Sequence, residues 1–483
     1  MEKTSSSPHQ GVLIDNVWVT GTGEPIDVFN PVTGGLIASI RAASTEQVDA
    51  AARAAQRAFV SWRQTTPVER GALLRCIAEQ IEAQRARLVS LQQLNSGKPG
   101  FEAGLDVSDV VATFNYYADL CATGDGLLPQ GVVLPDDGFS ATLERVPVGV
   151  VGLIVPWNFP MVTTSWKLAP ALAAGCTVVL KPSELTPLSE IALIEIILAA
   201  GIPAGVVNLV YGAGAVGQAV VQHKAVAKVS FTGSNATGQR ILQSCGPRMQ
   251  RVSLELGGKS SLLVLDDADL DNAIELAIAG AFFNAGQMCS ATARVGVARS
   301  LSARFIDGFV AAAKGLHHGD PLDEGTTLGP IINAKQQQMV LSRIQSGLND
   351  GARLLTGGAA LDGLGGYAIA PTIFTHAEQS PALWQDEIFG PVACVRIIDS
   401  DEEAIAVAND SDYGLVATVV STDVGRAHRV ASALEVGTVW INTPQLIFPQ
   451  TGWGGFKHSG LGRELGPWGL QAFQELRHTL APR

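Results

Sequence analysis

The spacing of apolar residues divides the chain into strand-like and helix-like segments. Short apolar or alternating runs predict strands over 12–18, 25–30 and 36–41. Two longer stretches, 45–65 and 67–94, repeat apolar residues at the helical period, and Ser44 with Thr45 offers an N-cap signal for the first. The first part of the chain is therefore predicted to place a few strands before long amphipathic helices.

The pattern changes between residues 126 and 147. Turn residues cluster at 127–131 and 135–138, and residues 140–147 alternate as an exposed strand does. A hairpin between two compact regions leaves an unpaired edge unless something covers it. We therefore expect this hairpin to contact another subunit.

Apolar strands then alternate with helical segments, which is typical of a parallel sheet covered by helices. The predicted strands are 149–155, 177–181, 206–211 and 228–232, and the predicted helices are 163–174, 187–200, 215–223 and 238–244. The alternation restarts with strands 262–265 and 293–298 and helices 270–284 and 300–314. This pattern predicts an α/β protein with a second αβ domain.

Composition and charge narrow the class of protein. A chain of 483 residues with 47% hydrophobic and 16% charged residues predicts two or three globular domains. The net charge of −12 disfavours a nucleic-acid partner, and the apolar runs are too short to span a membrane. The polar residues 1–7 offer no export signal, and the six Cys lack paired or metal-ligand spacing. We expect a cytoplasmic protein with reduced thiols and no metal.

Two short motifs offer a base and a nucleophile. Glu255 opens the segment ELGGK, and Cys289 lies in the segment GQMCSA. A thiol attacks as the thiolate, so a carboxylate within reach would be a suitable partner. A single Cys is more often a small buried apolar residue, and the pair gains weight only from its surroundings.

Glycine-rich turns raise the question of a nucleotide. Residues 212–217 match G-x-G-x-x-G between a predicted strand and helix, but no acid follows before Glu255, so a plain turn stays equally open. Glu184 follows the predicted strand 177–181, where open α/β sheets bind ligands. Its carboxylate could accept both ribose hydroxyls and would repel a 2′-phosphate, which favours NAD over NADP; the alternative is a solvated loop carboxylate.

Seven motifs in a fixed order resemble those of the NAD(P)-dependent aldehyde dehydrogenase superfamily. They are PWNFP (156–160), KPSE (181–184), FTGS (231–234), ELGGK (255–259), GQMCSA (286–291), EIFGP (387–391) and SGLGRE (459–464). The likeness runs from about residue 11 to about residue 480. It is closest to the subgroup of betaine-aldehyde and aminoaldehyde dehydrogenases.

The resemblance implies an α/β fold with a Rossmann-like NAD-binding domain, an α/β catalytic domain and a small β oligomerisation element. The NAD-binding domain would comprise 1–125 and 148–256, with a return segment at 444–470, and the catalytic domain would comprise 257–443. The oligomerisation element would comprise the hairpin 126–147 and the strand 471–483. A homodimer or homotetramer is expected.

The resemblance also implies roles in catalysis. Cys289 would attack the aldehyde carbon, and the Asn158 amide with the Cys289 N–H would hold the oxyanion. Hydride transfer to the nicotinamide would leave a thioester, and Glu255 would activate the water that hydrolyses it. Lys167 and Glu464 match positions that relay protons from the base, although they could equally form a structural ion pair.

The cofactor would be NAD, with NADP as a poorer alternative. The residues that match cofactor-binding positions are Trp157, Asn158, Lys181, Ser183, Glu184, Gly214, Gly217, Phe231, Gly233, Ser234, Leu256, Glu387 and Phe389. The loop 212–217 is one residue shorter than in many relatives.

Four aromatic residues match the substrate tunnel of the subgroup. These are Phe159, Trp166, Phe283 and Trp453, and their faces would attract an ammonium or trimethylammonium group. Trp166 stands where succinate-semialdehyde relatives carry Arg. Phe283 and Ile447 stand where betaine-aldehyde-selective relatives often carry Trp and Cys, which favours linear ω-aminoaldehydes.

Three alternatives stay open at this point. The aromatic residues could form an unselective tunnel for apolar aldehydes. A CoA-acylating relative would use CoA instead of water, but such members usually lack the base that Glu255 supplies. A non-catalytic member would be expected to lose Cys289 or Asn158, and both are present.

Overall fold

A computed structural model describes residues 11–361 and 366–483, so the polar segment 1–7 that bears on export lies outside the described residues. The first elements are β1 (Gly11–Ile14), β2 (Val17–Thr20), β3 (Pro25–Phe29), β4 (Leu36–Arg41), α1 (Thr45–Trp62), α2 (Pro67–Ala83), α3 (Arg85–Ser96), α4 (Gly100–Thr123), β5 (Gln130–Val132) and β6 (Phe139–Pro147). The next are β7 (Val150–Ile154), α5 (Pro160–Ala174), β8 (Thr177–Lys181), α6 (Pro187–Ala199), β9 (Val207–Leu209), α7 (Gly214–Gln222), β10 (Val226–Thr232), α8 (Asn235–Cys245) and β11 (Arg251–Glu255).

The second half of the chain continues the alternation. Its elements are β12 (Ser260–Val264), α9 (Leu270–Phe282), β13 (Thr292–Ala298), α10 (Arg299–Lys314), α11 (Ala334–Asn349), β14 (Arg353–Thr356), β15 (Thr372–Thr375), α12 (Pro381–Trp384), β16 (Val392–Ile398), α13 (Asp401–Asn409), β17 (Tyr413–Gly414), β18 (Val416–Val420), α14 (Val424–Ser432), β19 (Thr438–Ile441), β20 (Phe456–Lys457), β21 (Gly460–Leu461), α15 (Gly466–Gln471) and β22 (Gln474–Pro482). The α/β class predicted from the alternation is confirmed.

Two predicted elements near the start of the chain differ from the structure, and one helix there was not predicted. The strand predicted over 12–18 is two antiparallel strands, because Asp15 and Asn16 adopt left-handed φ values of 56° and 60° and reverse the chain. The helix predicted over 67–94 is interrupted at Gln84, which separates α2 from α3. The long helix α4 was not predicted, although it lines the candidate site.

The first sheet has eight strands in the order β2-β1-β9-β8-β7-β10-β11-β21. Strands β9, β8, β7, β10 and β11 run parallel, with Ile154 opposite both Lys181 and Phe231, and Thr232 opposite Glu255. The carboxyl ends of four strands therefore meet at one edge. In open α/β sheets this edge is where ligands bind.

The second sheet has seven strands in the order β14-β15-β16-β13-β12-β18-β19. Five neighbouring pairs in it are parallel, from β15 with β16 to β18 with β19. Leu153 of the first sheet and Leu263 of the second lie in different hydrophobic cores, and a third core, which includes Val150 and Val179, also packs on the first sheet. The two sheets are joined by the short segment between β11 and β12, and this join brings both to the candidate site.

A separate three-stranded sheet has the order β22-β6-β5. Strand β22 pairs antiparallel with β6 along its length, from Gln474 opposite Pro147 to Pro482 opposite Phe139. Leu476 and Leu480 on β22 are 60% and 53% exposed. The predicted hairpin and C-terminal strand thus form one element with exposed apolar residues, while the domain boundaries stay a prediction.

In the described part of the chain, no helix has the length and apolar character needed to cross a membrane.

Candidate active site

A cavity of about 920 Å³ lies at the carboxyl edge of the first sheet. Residues of several predicted motifs line it: Trp157, Asn158, Phe159, Trp166, Gly233, Ser234, Leu256, Phe283, Cys289, Glu387, Phe389 and Trp453. The loops after β7 and β10 supply part of this lining, and the segments before β13 and β16 supply another part. The fold therefore gathers residues more than 200 positions apart in sequence around one thiol.

Cys289 lies partly exposed to this cavity, just before β13. Burial raises the pKa of its thiol, and the nearby carboxylates of Glu255 and Glu387 raise it further. Backbone N–H groups of Ser290 and Cys289 act in the opposite direction. The thiol of the resting protein is therefore neutral near pH 7 and needs a proton acceptor before it can attack.

Asn158 follows β7 and is buried, with its side-chain amide directed at the loop that carries Cys289. Asn158 Nδ2 donates to the carbonyl oxygen of Gln287 at 3.0 Å. Asn284 Nδ2 donates to the main-chain oxygen of Asn158 at 3.1 Å and to the same Gln287 oxygen at 3.2 Å. An amide has two N–H groups, so one N–H of Asn158 remains for a ligand.

Glu255 ends β11 as a buried carboxyl group. Burial raises its pKa well above the usual range, and the neighbouring Glu464 adds to this, while Lys167 lowers it. Among the described residues, Glu255 Oε2 has no hydrogen-bond partner. An unpaired carboxyl oxygen with an affinity for protons suits a general base that acts on a ligand or a water molecule.

Lys167 and Glu464 form a buried ion pair behind Glu255. Lys167 Nζ also donates to Thr232 Oγ1 at 2.7 Å, and Thr232 lines the cavity. Ser230 Oγ donates to the same Glu464 oxygen at 3.3 Å. The pair therefore acts on Glu255 through charge and reaches the cavity wall through Thr232, while Glu255, Lys167 and Glu464 are not themselves part of the lining.

The remaining predicted cofactor residues lie around the ends of β8, β9 and β10, beyond the cavity lining. Lys181 Nζ and Glu184 Oε2 are 3.2 Å apart, and a Cβ on Gly217 would lie 3.8 Å from the Lys181 side chain. A Cβ on Gly214, at the start of α7, would meet nothing within 4 Å. Ser183 Oγ accepts from the Leu185 N–H at 3.2 Å, and Phe231 is buried beneath Gly233.

This arrangement fits a dinucleotide in two respects. The open space over Gly214 at a helix N-terminus can admit a phosphate, and Glu184 beside Lys181 can accept ribose hydroxyls. At the other end Trp157 and Phe389 pack edge to face at 5.3 Å between ring centroids. Burial raises the pKa of Glu387 to about 7, and Gly258 N–H donates to its carboxylate at 3.1 Å. Acidic groups near Cys289 suit a positively charged ring such as oxidised nicotinamide.

The four predicted aromatic residues line one part of the cavity, beside Cys289. Phe159 and Phe283 are nearly parallel, with 6.3 Å between centroids and 5° between planes. Trp166 and Trp453 lie 5.6 Å apart at 61°. These rings enclose a volume with apolar walls.

Two acidic residues of this tunnel were missed in the sequence. Asp106 and Asp109 lie on α4 and line the cavity. Asp109 Oδ1 accepts from Trp166 Nε1 at 2.7 Å and from Thr113 Oγ1 at 3.3 Å, and burial raises its pKa to about 7. The spacing of acids three residues apart among apolar neighbours was the available signal, but the helix that carries them was not predicted.

The charge of this region is not balanced by lining cations. Asp106 pairs with the buried Lys98, whose Nζ also lies 3.7 Å from the centroid of the Phe159 ring. In the described parts of the chain, no Lys or Arg lines the cavity, and no group of His, Cys, Asp or Glu could hold a metal ion. Asp109 is therefore an acidic group of the lining that no lining Lys or Arg offsets, and its carboxyl group ionises as the pH rises through its pKa of about 7.

Comparisons with known proteins agree with this geometry. Residues 18–479 match the family described as "Aldehyde dehydrogenase family". The chain is 43% identical to Betaine aldehyde dehydrogenase 1 of Oryza sativa subsp. japonica, over 99% of this chain and 96% of that protein. It is 42% identical to Aminoaldehyde dehydrogenase 2, peroxisomal, of Pisum sativum, over 98% and 95%. A crystal structure of betaine aldehyde dehydrogenase from Staphylococcus aureus in complex with NAD+ has a TM-score of 0.95 and 38% identity, over 98% of this chain and 95% of that one.

Gly258 supplies a test of how closely the site is packed. A Cβ there would overlap the carbonyl oxygen of Cys289. Since backbone cannot turn aside as a side chain can, Gly258→Ala is expected to lower the free energy of unfolding by about 1–3 kcal/mol. The matched control Gly104→Ala, with nothing within 4 Å of its Cβ, is expected to stabilise α4 slightly. Equal melting temperatures for the two variants would contradict the packing described.

Proposed function

Because the chain belongs to the aldehyde dehydrogenase family, we propose that it oxidises aldehydes to carboxylic acids with NAD and prefers aldehydes that carry an ammonium group. The observation that carries the substrate class is the cavity beside Cys289, which has aromatic walls, the Asp109 carboxylate and no lining Lys or Arg among the described residues. Its chemistry favours a cation at the end of the tunnel and an aldehyde at the thiol.

In the first step the Cys289 sulfur bonds to the aldehyde carbon, and the thiol proton leaves to a base. The carbonyl oxygen becomes an oxyanion, which accepts hydrogen bonds from the Asn158 amide and the Cys289 N–H. The 3.0 Å bond from Asn158 Nδ2 to the Gln287 carbonyl supports this role, because it fixes the amide and leaves its other N–H free. When bound, NAD supplies the acceptor for the hydride that leaves the aldehyde carbon, and a thioester remains on Cys289.

Hydrolysis of the thioester is assigned to Glu255. Its carboxylate takes a proton from water while the water oxygen attacks the thioester carbon, and the acid and the Cys289 thiol are released. Its raised pKa supports this, since a stronger base is needed to activate water than an ordinary exposed carboxylate provides. The Lys167 ammonium donates to Thr232 Oγ1 at 2.7 Å and favours the ionised form of Glu255 by its charge, and a proton relay through Lys167 and Glu464 stays a prediction.

NAD is proposed in preference to NADP. Glu184 lies 3.2 Å from Lys181, where the two side chains can bind the adenosine ribose together. A carboxylate at that place repels a 2′-phosphate. The fold neighbour from Staphylococcus aureus was crystallised with NAD+, which agrees with this choice.

Linear ω-aminoaldehydes are the proposed preferred substrates, with betaine aldehyde as the second candidate. Both Asp109 hydrogen bonds end on Oδ1, so Oδ2 can accept from a substrate ammonium. A trimethylammonium group cannot donate a hydrogen bond and would be held only by its charge and the aromatic faces. Betaine aldehyde is retained because relatives such as that of Oryza sativa are named for it. A tunnel that is unselective for apolar aldehydes would give the Asp109 carboxylate no group on the substrate to bind.

A homodimer or homotetramer in the cytoplasm completes the proposal. The β22-β6-β5 sheet exposes Leu476 and Leu480, and an exposed apolar face of this kind suits contact with a second subunit. The Pisum sativum relative is named peroxisomal, so the cytoplasmic location is proposed for this chain and is not shared by every relative.

Cys289→Ala is expected to abolish NADH formation while NAD binds normally, because the attacking atom is removed.

Glu255→Gln is expected to give one rapid turnover of NADH followed by a steady state slowed by at least about 100-fold, seen by stopped-flow absorbance. Glu190→Gln, which changes a fully buried carboxyl outside the cavity lining, serves as the control and should keep its steady state. A normal steady state for Glu255→Gln would remove it as the base.

Asp109→Asn tests the substrate class. The variant is expected to lose about tenfold in kcat/KM for 4-aminobutyraldehyde, equivalent to about 1.4 kcal/mol, and little for butanal. Because the pKa of Asp109 is raised to about 7, the wild-type preference for the aminoaldehyde should grow between pH 6 and pH 8 as the carboxylate ionises. This growth should vanish in Asp109→Asn and persist in the α4 control Asp119→Asn.

Leu480→Asp tests the subunit contact. A charge placed on this 53% exposed position of β22 is expected to shift the protein toward monomer, because it would be buried in the interface without a partner. Light scattering coupled to size exclusion measures the change. Met249→Asp, at an 86% exposed position in the turn before β11 and outside the β22-β6-β5 sheet, should leave the mass unchanged. A wild-type monomer would contradict the proposal.

A further inference from the structure

We propose that Asn284 is a positioning residue that holds the oxyanion donor Asn158 in its working orientation. The inference rests on the proposed function, in which the Asn158 amide binds the oxyanion. Asn284 was not singled out in the sequence, and it does not line the cavity. It acts from behind the site, through the hydrogen bonds that it makes to both sides of the catalytic loop.

Asn284 joins the two chain segments that must cooperate. Its Nδ2 donates to the main-chain oxygen of Asn158 at 3.1 Å and to the carbonyl oxygen of Gln287 at 3.2 Å. The Gln287 oxygen also accepts from Asn158 Nδ2 at 3.0 Å. Residue 158 is thus held at its main chain by Asn284 and at its side chain by Gln287, so the direction of its remaining N–H is fixed.

The anchor itself is held from two further directions. The Asn284 N–H donates to Glu102 Oε1 on α4 at 3.0 Å. Gln287 Nε2 donates to the carbonyl oxygens of Asn284 and Pro330 at 3.0 and 3.1 Å. Asn284 and Gln287 are 5% and 1% exposed, so water competes little for these bonds. A buried, fully engaged amide is what preorganisation of an oxyanion site requires.

The backbone explains why an asparagine occupies this position. Asn284 and Ala285 both adopt left-handed φ values, 49° and 52°, where α9 ends and the loop to Cys289 begins. Asn tolerates this region better than other residues with a side chain, and it adds two amide donors. Gly would allow the turn without donors. The observed residue therefore combines the turn and the two bonds.

Asn284→Gly separates these two properties. It keeps the left-handed turn and the main-chain bond to Glu102, but it removes the amide. We expect the single-turnover rate of NADH formation to fall by about 10- to 100-fold, because small displacements of a catalytic group cost this much. The Kd for NAD and the KM for aldehyde should change by less than about threefold. Ala285→Gly is the matched control, since it relaxes the same turn without removing a hydrogen bond, and it should stay within about threefold of wild type.

A double-mutant cycle with Asn158→Ala distinguishes positioning from general weakening of the fold. If Asn284 acts through Asn158, Asn284→Gly should slow the Asn158→Ala enzyme by less than about threefold further. Multiplicative effects would overturn the inference, and so would a wild-type rate for Asn284→Gly. If Asn284→Gly does not fold, Asn284→Ala removes the same amide donors with a residue that already occupies the left-handed turn at Ala285, and it is expected to show the same slowing.

The same variants distinguish a failure of the proposed function from a failure of the positioning role of Asn284. A normal hydride-transfer rate in Asn158→Ala would remove the proposed oxyanion donor and the positioning role together. A slow Asn158→Ala enzyme with a normal Asn284→Gly enzyme would leave the proposed function intact and overturn only the role of Asn284. Melting temperatures of all variants, measured in parallel, check that the rates refer to folded protein.

Discussion

The site depends on the four residues that cross from the first large sheet to the second. Glu255 ends β11 and Ser260 begins β12, so the crossover is short and has few possible paths. A Cβ on Gly257 would overlap the Glu387 carboxylate, and a Cβ on Gly258 would overlap the Cys289 carbonyl. Because the Cys289 backbone cannot turn aside, only glycine permits the approach at 258, and the crossover places the Glu255 and Glu387 carboxyl groups near the Cys289 thiol.

The same closeness determines the electrostatics. Burial disfavours each ionised group, and the charges of Glu255 and Glu387 further disfavour the thiolate of Cys289. Lys167, which is paired with Glu464, and Arg463 favour the ionised form of Glu255, and Lys259 favours that of Glu387, but burial outweighs these charges. The resting site therefore retains protons and is poorly reactive. A positively charged ring bound beside these carboxylates would favour their ionised forms and that of the thiol, so that the nucleophile is activated when the oxidant is present.

The sequence predicts the elements that depend on local interactions and misses those that depend on distant partners. Strand and helix periods in 149–244 are local, and they predicted the parallel sheet. The 270–284 helix was predicted too long, because the left-handed backbone at Asn284 depends on distant partners such as Glu102. The helix α4 was missed since buried acids such as Asp106 interrupt its apolar period, and Asp106 is tolerated there because Lys98 pairs with it. Ion pairs formed in the folded chain cannot be recognised from periodicity.

Selectivity and catalysis are built from different elements that meet at one point. The tunnel end comes from α4, whereas the reactive end comes from the sheet crossover and the loop before β13. Substitutions on the outer part of α4 can therefore alter the aldehyde without moving the thiol. Substitution of Glu102 is an exception, because this residue of α4 accepts the hydrogen bond from the Asn284 N–H. Burial raises the pKa of Glu102 to about 8. Glu102 Oε1 can accept the Asn284 N–H in either protonation state, so this hydrogen bond holds the turn while other residues of α4 that line the tunnel can be substituted.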